Sequence, residues 1–304
     1  MLSKYGTTIK KIRLEKKMYQ KEIYSDIISR TFYYEFEKGN YDISSNKLIE
    51  ILKNLNLTVD EFLVIHNNYN YDPYSDLFMK LMSSFHNDFE ELKKIYIEYY
   101  PSNDMNKKVI AAISYGIYYI NKKKLSPQDD TIIFLTNHFL SMNHWTISDI
   151  TLFQYAMPIF LNQLSDLENL INQIFKDIFL YYKSNYQKEK IESIISEIYF
   201  NYIQLLLVNK KFEKARQFKF FIQKNFYAIS GVEPLLNIKC CNLIIDFFDP
   251  MLFSKSTKEY NNIIFELNKW INTDMNLSIA GKKFKRLAEK HHDINNIRSF
   301  KNFK

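Results

Sequence analysis

Residues 19–39 read Tyr19-Gln20-Lys21-Glu22-Ile23-Tyr24-Ser25-Asp26-Ile27-Ile28-Ser29-Arg30-Thr31-Phe32-Tyr33-Tyr34-Glu35-Phe36-Glu37-Lys38-Gly39. Gln20 opens a helix predicted to run to Ile27, a turn follows to Ser29, and a second helix carries Thr31 to Glu37 until Gly39 stops it. Two short helices around so tight a turn match a helix-turn-helix that reads the DNA major groove. At helical spacing Tyr33 and Phe36 face a core, which leaves Thr31, Phe32, Tyr34 and Glu35 outward. A Thr or Phe there can meet a thymine methyl, and Glu35 can accept from a cytosine amino group. Arg30 is suited to a phosphate, and Gln20 completes the set of candidate DNA contacts. Any helix pair around a turn has this look, so a domain that only makes protein contacts stays open at this point.

On either side the period is also helical. A stripe runs from Tyr5 through Ile9, Ile12 and Lys16, and Leu48, Ile51, Leu52 and Leu55 mark a helix over 44–55. Thr58 and Glu61 form a capping box that opens a fifth helix, so residues 1–66 make one small domain. Its first 30 residues hold eight Lys or Arg against three acidic residues, the sign a phosphate-binding face needs. Polar residues and the first proline then break the pattern, placing a linker at 67–73. From 74 to 304 helix follows helix. Capping-box patterns at Ser126, Thr146, Ser165 and Ser256 predict further starts, and the first three lie 20 and 19 residues apart. A helix pair of about 39 residues is close to the period of tetratricopeptide arrays. The expected fold is all-α: a helix-turn-helix domain followed by a tetratricopeptide-like helical-repeat solenoid, whose groove suits peptides or partner helices.

Composition agrees. Only 5 Gly and 6 Pro occur in 304 residues, too few for the turns of a sheet-rich fold. The glycines, at 6, 39, 116, 231 and 281, are too scattered for a glycine-rich phosphate loop or a G-x-S-x-G nucleophile turn. No nucleophile-base or metal-ligand spacing occurs, so neither an enzyme nor a cofactor or metal site is expected. Cys240 and Cys241 are adjacent, which suits buried helix residues of a reduced protein better than a disulfide. Asp129 and Asp130 suit a helix N-terminus, and His291 and His292 a solvated helix end. Residues 282–304 carry eight basic and two acidic residues of a net +7 and read as a disordered or dimer-flanking tail. With no signal-peptide core and no long uncharged apolar run, a cytoplasmic protein that does not enter the membrane is expected.

Residues 28–44, with Lys47–Leu52 and Leu57–Phe62 after them, resemble the Xre-type helix-turn-helix of the Rgg/MutR transcriptional regulators. Phe139-Leu140-Ser141-Met142-Asn143-His144-Trp145 is similar to a segment of that family's repeat domain. The resemblance implies a homodimeric bacterial regulator that binds a double-stranded DNA operator and senses a short peptide pheromone. It implies no dimer-bridging disulfide, because Ser45 stands where some members have cysteine. It also implies Asn201 as a peptide clamp with Tyr155 on the wall, Tyr155 and Pro158 replacing a family Asn and Arg, and Lys239 replacing a pocket Tyr. An Asn amide both donates and accepts, as a peptide main chain does. Lys239 is a candidate partner for an acidic group, or else a surface lysine. In the second case no cation remains for the peptide, and affinity from burial that varies little with salt is expected. A regulator of the same fold that answers to another ligand or to none is the alternative.

Overall fold

The structure is a computed structural model that describes residues 5–70, 73–85, 88–270 and 275–301. All its regular elements are helices, with no strand among the described residues. The chain divides into two compact units, residues 1–80 and 81–304.

In the first unit five helices follow the expected order: α1 (Tyr5–Glu15), α2 (Gln20–Tyr24), α3 (Arg30–Glu37), α4 (Ser45–Asn54) and α5 (Val59–His66). The core gathers the apolar stripes read from the sequence, with Ile9, Ile23, Tyr24, Phe36, Ile51 and Phe62 fully buried. Helix α2 stops at Tyr24 rather than Ile27, because Asp26 adopts a left-handed backbone (φ 65°) that no helix continues through. Helix α3 starts at Arg30, one residue earlier than the sequence suggests, with Ser29 as its N-cap. It ends in a Schellman turn: the Gly39 N–H donates to the Phe36 carbonyl (2.8 Å) and the Asn40 N–H to that of Glu35 (3.0 Å). The turn needs φ 76° at residue 39, which glycine adopts without strain. The Thr58–Glu61 capping box forms as expected. After α5 the chain turns through Asn68 and Tyr69, both left-handed. Helix α6 (Pro73–Ser84) runs across the boundary of the units, so the division falls later than the expected linker; its residues 71–72 lie outside the described residues.

The second unit is built from α7 (Phe89–Tyr99), α8 (Met105–Asn121), α9 (Asp130–Leu140), α10 (Ile147–Ala156), a 3₁₀ turn (Met157–Asn162), α11 (Leu164–Ser184), α12 (Lys188–Val208), α13 (Phe212–Asn225), α14 (Val232–Asp246), α15 (Phe253–Trp270) and α16 (Met275–Lys301). Successive helices pack on each other, α7 on α8, α8 on α9 and α11 on α12, as in a helical-repeat array. The starts of α9, α10 and α11 at 130, 147 and 164 give a pair period of 34 residues, shorter than expected and equal to that of tetratricopeptide repeats. The difference comes from the caps. The Thr146–Asp149 box is real, but Asp129 rather than Ser126 caps α9. Ser165 and Ser256 lie inside helices, where Ser256 Oγ donates to the Leu252 carbonyl (2.8 Å). Helix α12 is long and apolar enough to cross a membrane, yet Ile195, Ile198, Tyr199 and Ile203 bury it among α10, α11, α13 and α14. The basic chain end, expected as a tail, is helical to Lys301 in α16, and residues 302–304 lie outside the described residues. His291 and His292 are not a solvated end either. His291 packs against Phe212 (4.6 Å between centroids), and His292 Nε2 bonds the Phe247 carbonyl (2.8 Å). Cys240 and Cys241 are free and buried in α14, as expected.

Candidate nucleic-acid interface and ligand cavity

The mount of α3 is a buried ion pair. Arg13 of α1 meets Glu37 of α3 in a two-pronged contact (Nε–Oε1 2.7 Å, the second guanidinium nitrogen to Oε2 2.9 Å). Tyr24 and Gln20 of α2 donate to the same carboxylate at 2.9 and 2.8 Å, and Arg13 also donates to the Met18 carbonyl (3.0 Å). Burial alone would raise the Glu37 carboxyl, but the bonds from Arg13, Gln20 and Tyr24 outweigh it and hold it below its ordinary value. In the sequence Arg13 counts only as positive charge and Glu37 only as a helix end. The signal available was an Arg on the buried stripe of α1 and a Glu one position after buried Phe36.

Around this mount Tyr33 stacks on Tyr24 (5.0 Å) and Phe36 is fully buried, so both face inward as expected. Arg30 and Thr31 are exposed, and Tyr34 is 55% exposed. Lys38 lies over the Tyr34 ring (4.1 Å) and extends this outward face by one turn. Three candidate contacts stand differently. The Gln20 amide is turned inward to Glu37. Phe32 is only half-exposed, stacked on Tyr41 (5.5 Å) and packed against the core. Glu35 already binds Lys38 (2.9 Å) through one oxygen and Asn40 (2.6 Å) through the other, and these bonds hold its carboxyl below the usual range. Its negative charge is therefore largely answered within the turn. Ser45 is exposed at the start of α4.

In the second unit α10, the 3₁₀ turn, α12, α14 and the start of α16 enclose a cavity of about 520 Å³. Tyr155 and Asn201, 46 residues apart in sequence, both line it, and Pro158 lies beside them. Helical spacing on α12 puts Glu197, Phe200, Asn201 and Gln204 on one face, while α14 adds Glu233 and Asn237 and α16 adds Lys283. The amides of Asn201, Gln204 and Asn237 make no hydrogen bond among the described residues, so their donors and acceptors are available to an occupant. Tyr155 packs edge-on against Phe85 (5.2 Å), and burial, with the nearby Glu197 charge, pushes its hydroxyl pKa up. Burial also raises the Glu197 carboxyl, with Glu233 adding to the effect against bonds from Ser193 and Gln154. Lys239 is not part of this wall. It is exposed and paired with Glu259 of α15 at 2.6 Å, so the surface reading describes its position. Among the described residues the cavity's cation is Lys283, from the chain end read as a tail.

Two supports hold these walls. Glu192 of α12 is buried and accepts from the Gly231 N–H (2.7 Å), which fixes the start of α14. Asp177 of α11 accepts from the Trp145 N–H (2.7 Å) and His144 (3.0 Å). Trp145 itself is wholly buried, stacked on Phe139 (5.7 Å) and edge-on to Phe153. The 139–145 segment is thus a brace for α10 and not part of the cavity lining.

No family model and no curated protein matches the sequence. Solved structures do match over nearly the whole chain. A protein from Listeria monocytogenes EGD-e classed as a candidate transcriptional regulator aligns with a TM-score of 0.78 at 18% identity, over 96% of this chain and 99% of its own. The Streptococcus dysgalactiae SHP pheromone receptor Rgg2 aligns at 0.65 and 15%, over 94% and 99%. A bacterial peptide pheromone/receptor complex described with its mechanism of gene regulation aligns at 0.63 and 17%, over 93% and 98%. The chain has their fold. The Rgg2-like architecture is all-α, with the helix pair α2–α3 near the N-terminus and the helical array after it.

Proposed function

We propose that this protein is a sequence-specific DNA-binding transcriptional regulator whose second unit binds a short peptide. The observation that carries the peptide reading is the convergence of three unbonded amides, Asn201, Gln204 and Asn237, on one cavity. Side-chain amides match both the C=O and the N–H of a peptide main chain, and the volume is within the range of small-ligand pockets. The shared fold supports it, since two of the similar structures are a pheromone receptor and a pheromone/receptor complex. The DNA reading rests on α3. Arg30, Thr31 and Tyr34 form its open face, and the Arg13–Glu37 pair holds that face rigid. The protein then acts as a homodimer inside the cell, because paired recognition helices read the two halves of a palindromic operator.

The test is recovery of DNA by the full-length protein from fragmented chromosomal DNA, followed by sequencing. Enrichment of fragments sharing a two-fold symmetric sequence is the expected result. Recovery that follows fragment length alone would leave the molecule a helical-repeat scaffold. Addition of synthetic peptides to the recovered duplex then reads regulation directly, as a change in its affinity, and Asn201→Ala is expected to abolish that change.

A further inference from the structure

Several carboxylates of the second unit have a partner. Asp246 has Lys219 at 2.6 Å, Glu259 has Lys239, Glu168 has Lys214, and Asp177 and Glu192 hold backbone N–H groups. Glu197 and Glu233 differ in facing each other across a cavity. They lie on facing helices, α12 and α14, line the same cavity, and make no ion pair among the described residues. Glu197 takes hydrogen bonds from the neutral Ser193 hydroxyl (3.1 Å) and Gln154 amide but has no cationic partner, and Lys283 on α16 likewise makes no ion pair. Two carboxylates without a cationic partner in a shared concavity repel each other, and a cation between them relieves both.

We propose that the peptide bound here is cationic, with its free amino terminus or a lysine or arginine side chain seated between Glu197 and Glu233 while Asn201, Gln204 and Asn237 hold the adjoining main chain. This deepens the peptide reading and rests on it. It replaces the expectation of salt-independent binding, because ion pairing across a solvent-open cavity weakens with ionic strength. The protein's net charge of +7 opposes a cationic ligand, so its overall charge does not favour the effect.

The test offers the immobilised full-length protein a synthetic library of hydrophobic heptapeptides with varied termini and one varied position, each with a free and an acetylated amino terminus. Retained peptides are identified by mass spectrometry. At low salt the retained fraction is expected to be enriched about tenfold in cationic over neutral members, a ratio that corresponds to ~1.4 kcal/mol. The enrichment should fall as salt rises. The Glu197→Gln/Glu233→Gln double variant, which keeps side-chain shape and loses both charges, should retain peptides without the enrichment. Loss on acetylation assigns the terminus, and persistence in acetylated Lys or Arg peptides assigns the side chain; either supports the proposal. Retention with no charge preference, or with preference for acidic peptides, overturns it and leaves the peptide reading standing. Retention of no peptide overturns the peptide reading itself, and the proposal with it.

Discussion

Arg13 and Glu37 form a contact that serves stability and, under the proposed function, recognition as well. The pair is buried, so removing one partner leaves an uncompensated charge, and Arg13→Met is expected to cost about 3–5 kcal/mol in urea unfolding of the first unit. Replacing both by apolar residues of similar size should cost less than either single change, and a double-mutant cycle checks this. The pH dependence follows from the same bonds. Glu37 is held below its ordinary value of 4.5 in the folded state, so its contribution is complete above that pH and is lost as pH falls through the lower folded value. Acid unfolding of Glu37→Gln should accordingly lack that step. On the outer face, Arg30→Ala should weaken binding to all DNA sequences alike and reduce the salt slope by about one ion. Tyr34→Ala should instead change base preference, read in a binding series over operator variants. Tyr34 is the cleaner probe than Phe32, whose stacking on Tyr41 mixes stability with recognition.

At the scale of elements, α1 and α3 approach as closely as their backbones allow. A Cβ on Gly6 would lie 1.8 Å from the Phe36 carbonyl oxygen. Gly6→Ala therefore forces α1 off α3 despite alanine's better helix propensity, and should lower the melting temperature and DNA affinity together; unchanged melting would show that the helices can slide apart freely. The apolar periods of α1, α4 and α5 were legible because their stripes are local and their caps isolated. Ser165 and Ser256 misled because a Ser followed three residues later by Glu also occurs within helices, where tertiary packing, not the local pattern, decides the start. Asn201 and Tyr155 were legible through family resemblance. Glu197, Glu233, Asn237 and Lys283 were not, since their shared wall joins α12, α14 and α16, and no local spacing encodes a meeting of segments up to 86 residues apart. Glu37 escaped for a similar reason: its partner lies 24 residues away on another helix.

For the whole molecule, the exposed Ser45 and the buried Cys240 and Cys241 leave no accessible thiol among the described residues. Burial raises both cysteines, Cys240 to about 12, so neither is a ready thiolate. The proposed dimer should therefore sediment with the same mass with or without reductant. A reductant-dependent mass, or a monomer at micromolar concentration, would count against it. The brace formed by Trp145 has a further consequence. Its indole is fully buried against Phe139 and Phe153 and its ring nitrogen has no hydrogen-bond partner among the described residues, an environment that shifts tryptophan emission to the blue. It immediately precedes α10, whose far end carries Tyr155 into the cavity wall. With Trp270 replaced by phenylalanine, the protein would contain its own optical gauge of that wall, and occupancy of the cavity could be followed by light alone, without a label on either partner.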